Sequence, residues 1–541
     1  MGLSHKVAVA SIFATTALIL VGCGKSDNSS QKQTITTSTD TELSTVDLSK
    51  TTSVSAFNVL NNVDEGLFRL GKNSKVEPGI ATDTKVFNNG KTYTFNLRKN
   101  AKWSNGDPVT AQDFVYSWRR TLNPKTASQY GYLFSGIKNA DKIQNKKVAP
   151  NTLGVKAVGK YKLVVNLEQK IPYFKLLLGF PVFFPQDSKA VDKYGSRYGT
   201  TAKEMVYNGP FTLTGWNGTN LNWTLKKNPN YWDKKNVKLD DIKFNVVKDP
   251  STSLNLYDQK KLDMAQLSAT QAKQMGNNKN MVSRKQSSSY YIAFNQKIKA
   301  FKNQKIRQAI SMSINRSTLA NKVIAGGAVE TDNFVSKGLA YSPKNGSDFT
   351  SDTTAPASMK YNPTEAKKLM TEGLREVGQK QLKFTLLNVD TYDQKQLSEY
   401  LQSAIEKTLP QVKVSLNNIP GQTVLSRQAD QNFQVTVANW FADFSDPVTF
   451  LNILTSKNPS NISKWSNSAY DALLNKTNGV NGNNPEARWQ DMIDAQNLAL
   501  QKQAIVPLYQ SGEKWLVNSK VKEIIYNTAG ANYNYKEAYV K

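Results

Sequence analysis

The sequence predicts an α/β protein built in several lobes, and periodicity in three regions carries that expectation. Leu382, Phe384 and Leu386 alternate with polar neighbours, the period-two signature of a half-buried strand. Leu397, Leu401, Ala404 and Ile405 then recur at helical spacing, Pro410 closes the run, and Val412, Val414 and Leu416 alternate again. Strand, helix and strand in that order form a βαβ unit, which requires a parallel sheet with helical cover. Earlier in the chain, Tyr93, Phe95 and Leu97 read as one strand and Leu163, Val165 and Leu167 as another. Between them Thr110, with Asp113 three positions on, is a capping-box start. Phe114, Val115, Trp118 and Leu122 share one face of the helix that follows, an aromatic stripe suited to core packing. Ile306, Ile310 and Ile314 mark a third helical region. A length of 541 residues is a prior for roughly three to four domain-sized units. At 39% hydrophobic and 10% aromatic residues, the composition excludes bulk disorder.

The N-terminal region differs from the rest. His5 and Lys6 precede an uncharged apolar run at 7–20, which is short for a membrane span and suits a signal-peptide core. A short transmembrane anchor is the competing reading, and the small residues before Cys23 argue against it. Leu20-Val21-Gly22-Cys23 resembles the bacterial lipobox, which implies removal of residues 1–22 and acylation of Cys23. Residues 23–39, rich in Ser, Thr and Gln, are expected to form a flexible tether. Gly24-Lys25-Ser26 is not the tail of a P-loop, because position 19 is Ile rather than Gly and no strand precedes it.

Two counts exclude much chemistry. The chain has one cysteine and one histidine. If Cys23 is acylated and His5 removed, the mature protein cannot host a Ser-His-Asp triad, a Cys-His dyad or His-ligated zinc. Only paired-carboxylate chemistry, as in glycosidases, would remain. No catalytic residue, metal ligand or cofactor is expected. The formal net charge is +28. Nucleic-acid binding is one reading of it, but the Lys and Arg residues are dispersed and no nucleic-acid motif accompanies them. An anionic membrane and wall polymers would attract such a chain, and a lysine-rich soluble surface accounts for it equally. No nucleic-acid partner is expected.

Three stretches carry a family resemblance. The first is residues 91–120, KTYTFNLRKNAKWSNGDPVTAQDFVYSWRR. The second begins at Asn208-Gly209-Pro210-Phe211 and runs on to Asn228-Pro229-Asn230-Tyr231-Trp232. The third is Phe301-Lys302 followed by Lys305-Ile306-Arg307-Gln308-Ala309-Ile310-Ser311, with smaller echoes at Asp64-Glu65-Gly66-Leu67 and Ile505-Val506-Pro507-Leu508-Tyr509. Together they resemble the peptide/nickel class of extracellular solute-binding proteins (family 5), most of all the oligopeptide-binding lipoproteins of ABC importers. The resemblance implies a two-lobed, periplasmic-binding-protein-like fold with an extra subdomain and a ligand cleft closed by a two-strand hinge. Lobe 1 would span 40–297, with an inserted subdomain at about 65–200; lobe 2 would span 298–503, and 504–541 would return to lobe 1. Asn295 and Ala504-Ile505 would be the crossovers. It also implies a monomeric, non-enzymatic receptor for oligopeptides on the outer face of a bacterial cell membrane, at a Gram-positive surface, serving a permease. Within these motifs, Ser104-Asn105-Gly106-Asp107-Pro108 supplies turn geometry, and Trp103, Trp118 and Trp232 are assigned to packing.

Residues 432–452, NFQVTVANWFADFSDPVTFLN, hold the candidate site. Phe433, Val435 and Val437 alternate as a strand running into Asn439-Trp440-Phe441-Ala442-Asp443. Asp446-Pro447 reads as an N-cap followed by Pro at the first helical position, opening a helix through Leu454. That gives Asp446 a fold role and leaves Asp443 without one. A carboxylate in a loop at a strand end stands where α/β folds place ligands; a solvated turn residue is the plain alternative. The resemblance implies that Asp443 pairs with a peptide's α-ammonium, that Trp440 lines the cleft beside Phe441 and Ala442, and that Tyr130 is a cleft tyrosine. Residues 55–58 are a further source of backbone contacts by position. A different ligand on the same scaffold (a signalling peptide, a dipeptide, haem or a nickel chelate), a carboxylate hydrolase and a basic surface adhesin are the rival readings.

Overall fold

The structure is a computed structural model describing residues 32–541; the apolar run, Cys23 and the first part of the expected tether lie outside them. Three sheets of four or more strands organise the described chain. The first has seven strands in the order Met281–Lys285, Gly512–Val517, Met264–Leu267, Thr34–Thr39, Asp241–Val246, Asn222–Lys227 and Phe211–Thr214. The second has six: Val329–Glu330, Val506–Gln510, Ser288–Phe294, Val435–Phe441, Leu382–Val389 and Val412–Ile419. A four-stranded sheet, Ala81–Phe87, Thr92–Leu97, Lys162–Asn166 and Val155–Ala157, forms within the segment between Thr34–Thr39 and Phe211–Thr214.

The tether ends earlier than residue 39. Thr34–Thr39 is a strand paired in parallel with Asp241–Val246 along its whole length, and Ile35 is fully buried. Its sequence, TITTST, has linker composition, but β-branched residues suit a pleated surface once neighbouring strands supply partners. The crossovers move too. The chain leaves the seven-stranded sheet after Lys285, enters the six-stranded one at Ser288, and returns between Gln510 and Gly512. Asn295 and Ala504-Ile505 lie instead at the opposite ends of Ser288–Phe294 and Val506–Gln510. Alternation reveals a strand but not the sheet that strand joins.

Local expectations hold where the signal is local. Leu382–Val389 and Val412–Ile419 pair in parallel from Leu382↔Val412 to Val389↔Ile419, joined by the helix Tyr392–Thr408. The helix Ala111–Leu122 opens on the Thr110/Asp113 capping box, the Thr110 N–H donating to Asp113 Oδ2 at 2.7 Å, and buries Phe114, Val115, Trp118 and Leu122. The helix at Ile306 and Ile310 spans Gln304–Met312, with Ile314 just past its end.

Several of the family-like motifs (at Asp64–Leu67, Asn208 and Tyr231-Trp232, with Arg98 from the first) meet in space around Glu65, while the one at 301–311 packs in the core of the second lobe. The buried Glu65 carboxylate receives Arg69 at 3.1 Å, the Trp232 indole N–H at 2.7 Å and the Tyr231 hydroxyl, while Asn208 bonds its backbone N–H and carbonyl at 3.0 and 2.9 Å. Gly209 is required there, since a Cβ would lie 2.6 Å from the Asp64 nitrogen. Trp103 and Trp118 are fully buried, and Trp118 donates to the Phe183 carbonyl at 2.9 Å. Trp232 is half-buried, with the Arg98 guanidinium 3.5 Å over its ring. These residues hold the first lobe together.

Candidate ligand cleft at the crossover between two sheets

The strand Val435–Phe441 runs beside Ser288–Phe294 and ends where the chain crosses between sheets. Hydrogen bonds from Asn295 N–H to Gln434 O (3.0 Å) and from Ala442 N–H to Ser287 O (2.8 Å) set the phase of this antiparallel ladder. Bonded pairs alternate, so Thr436, Ala438 and Trp440 turn their backbone groups toward Ser288–Phe294. Those of Asn439 and Phe441 face the other way. On that side Leu382–Val389 pairs only with Val435 and Thr436. The main chain at Asn439 and Phe441 is therefore an open strand edge among the described residues.

Cavities lie on either side of the loop that follows. One, of about 270 Å³, is lined by Phe441 and Ala442 together with Asp40, Ser55, Asn58, Glu513 and Tyr533. It shares Ser38, Thr39, Asp40, Gln266 and Glu513 with a larger space of about 1250 Å³ between the two large sheets, where Tyr290 and Tyr509 stack at 4.6 Å. The other, of about 760 Å³, is lined by Ser445, Asp446 and Arg488 with Tyr173, Lys170, Lys285 and Lys337.

Asp443 stands between these spaces, 8% exposed, and lines none of them. The Tyr132 hydroxyl, from the inserted segment, donates to its Oδ2 at 2.7 Å, and its own backbone N–H donates to Thr449 Oγ1 at 3.3 Å. Burial pushes its carboxyl up from 3.8 to about 7, with the Tyr132 hydrogen bond acting the other way. Among the described residues no cation enters that balance. Burial, and then the charge on Asp443, raise the hydroxyls of Tyr130 and Tyr132, which therefore remain neutral donors. Tyr132 is itself 44% exposed, so the carboxylate is capped by a side chain that reaches solvent.

The neighbouring loop is clamped from both sides. Tyr173 stacks on Phe444 at 4.6 Å, Ser445 bonds Ser74 at 2.8 Å, and the Gly530 N–H donates to the Ala442 carbonyl at 2.9 Å. Gly530 has φ +68°, and a Cβ there would come within 2.9 Å of the Asp443 carbonyl oxygen. Asp446 accepts from Val448 N–H at 3.0 Å, the expected capping role, and also holds Arg488 in a two-pronged pair at 2.8 Å. The helical turns that follow are Val448–Leu451 and Asn452–Leu454.

Of the residues singled out in the sequence, the structure brings Tyr130, Phe441, Ala442 and Asp443 into one region. Tyr130 packs edge-on to Phe57 at 5.1 Å and beside Tyr132 at 5.9 Å. Trp440 is half-buried against the larger core, with its indole N–H buried and unpartnered among the described residues, and lines none of the cavities above. Residues 55–58 fall inside the first turns of the helix Val54–Val63, and Ser55 and Asn58 line the smaller cavity. Tyr132, Tyr173, Ser287, Glu513 and Gly530 were invisible to sequence reasoning, because each acquires its role from a partner far away in the chain.

Two lobes joined by two crossovers, with an enclosed carboxylate and an open strand edge at the crossing, define a solute-binding protein. A model described as "Bacterial extracellular solute-binding proteins, family 5 Middle" matches residues 75–461, and the chain belongs to that family. It is 34% identical over 552 residues to the dipeptide-binding protein of Lactococcus lactis subsp. cremoris (strain MG1363), covering 99% of each. Its fold matches Listeria monocytogenes OppA bound to peptide with a TM-score of 0.83 at 36% identity, over 95% of this chain and 100% of that one. It matches the pheromone receptor PrgZ, whose mode of peptide binding that structure describes, at 0.82 and 34%, over 94% and 100%. The family is one of substrate-binding proteins, and the expected fold class stands.

Proposed function

We propose that this protein is an extracellular receptor that encloses short peptides and delivers them to the permease of an ABC importer. The observation that carries the reading is Asp443, a buried carboxylate with no cation of its own, standing beside an open strand edge. A free peptide offers both complements. Its α-ammonium would pair with Asp443 by a charge-assisted hydrogen bond, and its extended backbone would pair with Asn439 and Phe441 as an added strand. Both features belong to every peptide, so such a receptor tolerates many sequences. Its resemblance to peptide-binding relatives supports the same ligand class.

Cys23 is the proposed acylation site, with residues 24–33 as the link to Thr34, and this would hold the protein at the outer face of the membrane. A mass shift of the mature chain matching acyl addition, absent in Cys23→Ser, tests the anchor. The ligand is tested by calorimetry with a tetra-alanine peptide and its N-acetylated form. Acetylation should abolish binding; undiminished affinity would remove Asp443 from its role. The likeness to a pheromone receptor keeps a signalling peptide as a second reading, distinguished by whether one sequence binds far more tightly than generic peptides.

A further inference from the structure

The two cavities flanking Asp443 differ in charge. The larger flanking space presents Lys170, Lys285, Lys337 and Arg488 against one carboxylate, Asp446. The smaller presents Asp40 and Glu513, and no Lys or Arg lines it. This is against the grain of a chain with a net charge of +28. The Arg284 guanidinium lies behind the cavity wall, 7% exposed, and holds the aromatic side chains of the cavity rather than closing an ion pair with Glu513. It donates to the Tyr533 hydroxyl at 3.0 Å and lies 5.0–5.5 Å from the rings of Trp515, Tyr526 and Tyr533. Glu513 is held in place by the Trp515 indole N–H at 2.6 Å, the Tyr533 hydroxyl at 3.4 Å and the Gln286 amide. Burial raises its carboxyl, the Trp515 hydrogen bond and Arg284 act the other way, and the charge on Asp40 adds to the rise. Within this cavity's own lining two carboxylates that feel each other stand without a lysine or arginine, while the adjoining larger space that also reaches them carries Lys248, Lys273 and Lys322 beside Asp249 and Asp393. Trp223, Phe244, Trp515, Tyr533 and Tyr535 are among the remaining lining residues, aromatic side chains that attract cations as well as apolar stems.

We infer that this cavity is a side-chain pocket for a basic residue, Lys or Arg, of the bound peptide, so that the receptor ranks basic above neutral above acidic at one ligand position. The inference rests on the peptide-receptor reading, because the pocket begins at Phe441 and Ala442, beside the proposed strand edge. An aliphatic stem would lie along the aromatic walls, and its cationic head would meet Glu513 and Asp40.

The test is a calorimetric scan of tetra-alanine peptides carrying a single Lys or a single Glu at each position, against the wild type, Asp40→Asn and Glu513→Gln. Expected is about a tenfold or greater gain for Lys over Ala at one position, a comparable loss for Glu there, and a smaller Lys/Ala ratio in both variants. Asp40→Asn keeps the test sound if Glu513→Gln fails to fold, since Asp40 is exposed and the Thr41 hydroxyl, at 2.8 Å, is its hydrogen-bond partner. The general positive field favours acidic peptides at every position, so a position-specific basic preference cannot arise from it. No Lys preference at any position, or one that survives in both variants, overturns the inference; if N-acetylation still abolishes binding, the peptide-receptor reading stands without it. Binding that ignores N-acetylation removes Asp443 from its role and leaves the Lys scan to decide the pocket; no binding of any peptide in the set overturns both.

Discussion

Replacing Asp443 by Asn should make the empty protein more stable and the receptor worse. Lifting a carboxyl from 3.8 to about 7 by burial costs the folded state about 4 kcal/mol once the group is ionised. Asn keeps the shape and still accepts from the Tyr132 hydroxyl, so the gain approaches that figure, or about 4 °C in Tm for a cooperatively unfolding chain of this size. The sign follows from linkage. Because the folded value is raised, the group's stability contribution is intact below the unfolded value near 3.8 and lost as pH rises through about 7. The advantage of Asp443→Asn is therefore absent at pH 3.5, grows between, and is complete at pH 8. Affinity moves oppositely: deleting one member of an enclosed ion pair costs about 2–5 kcal/mol, or about 30- to 5,000-fold. Thermal melts of ligand-free protein at pH 5 and 8, with peptide calorimetry at pH 8, read both effects. A variant that melts lower at pH 8, or binds as tightly as the wild type, refutes the reasoning.

Peptide affinity should be greatest in a narrow window, falling about tenfold per pH unit below about 7, where Asp443 must lose a proton to bind, and falling again above about 8 as the α-amino group deprotonates; a flat profile between pH 5 and 9 counts against the pairing. Tyr132→Phe removes the hydrogen bond that lowers the Asp443 carboxyl, so the acid limb of that profile should move to higher pH. Arg488→Met strands the buried Asp446 carboxylate and should cost about 3–5 kcal/mol in denaturant unfolding, with partial recovery in the Asp446→Asn/Arg488→Met double variant. An unchanged midpoint for Arg488→Met would show the pair contributes no net stability.

The site was legible in part. Asp443 stood out because Asp446, three residues on, had a capping role and it did not, and the structure gives Asp446 that role. Nothing near Tyr132 marks it as the partner of Asp443, because the pair is separated by 311 positions. The same distance problem hid Glu513, which becomes a cavity wall only when Gly512–Val517 joins the seven-stranded sheet. Trp440 shows the reverse case. A large aromatic beside a candidate acid invites a ligand role, yet strand alternation turns it toward the core while Phe441 faces the cavity.

Sequence alone determined what depends on near neighbours in the chain: the alternation that makes Thr92–Leu97 a strand, the Thr110/Asp113 cap, and the parallel unit from Leu382 to Ile419. It also carried the family, through motifs several of which meet around Glu65. Tertiary structure decided which sheet each strand entered, where the chain crosses between lobes, that Thr34–Thr39 is a strand rather than tether, and which hydroxyl meets Asp443. The reason is physical. Periodicity and capping are energetics of adjacent residues, whereas the pairing and burial of a charge are set by whatever distant segment the fold brings against it.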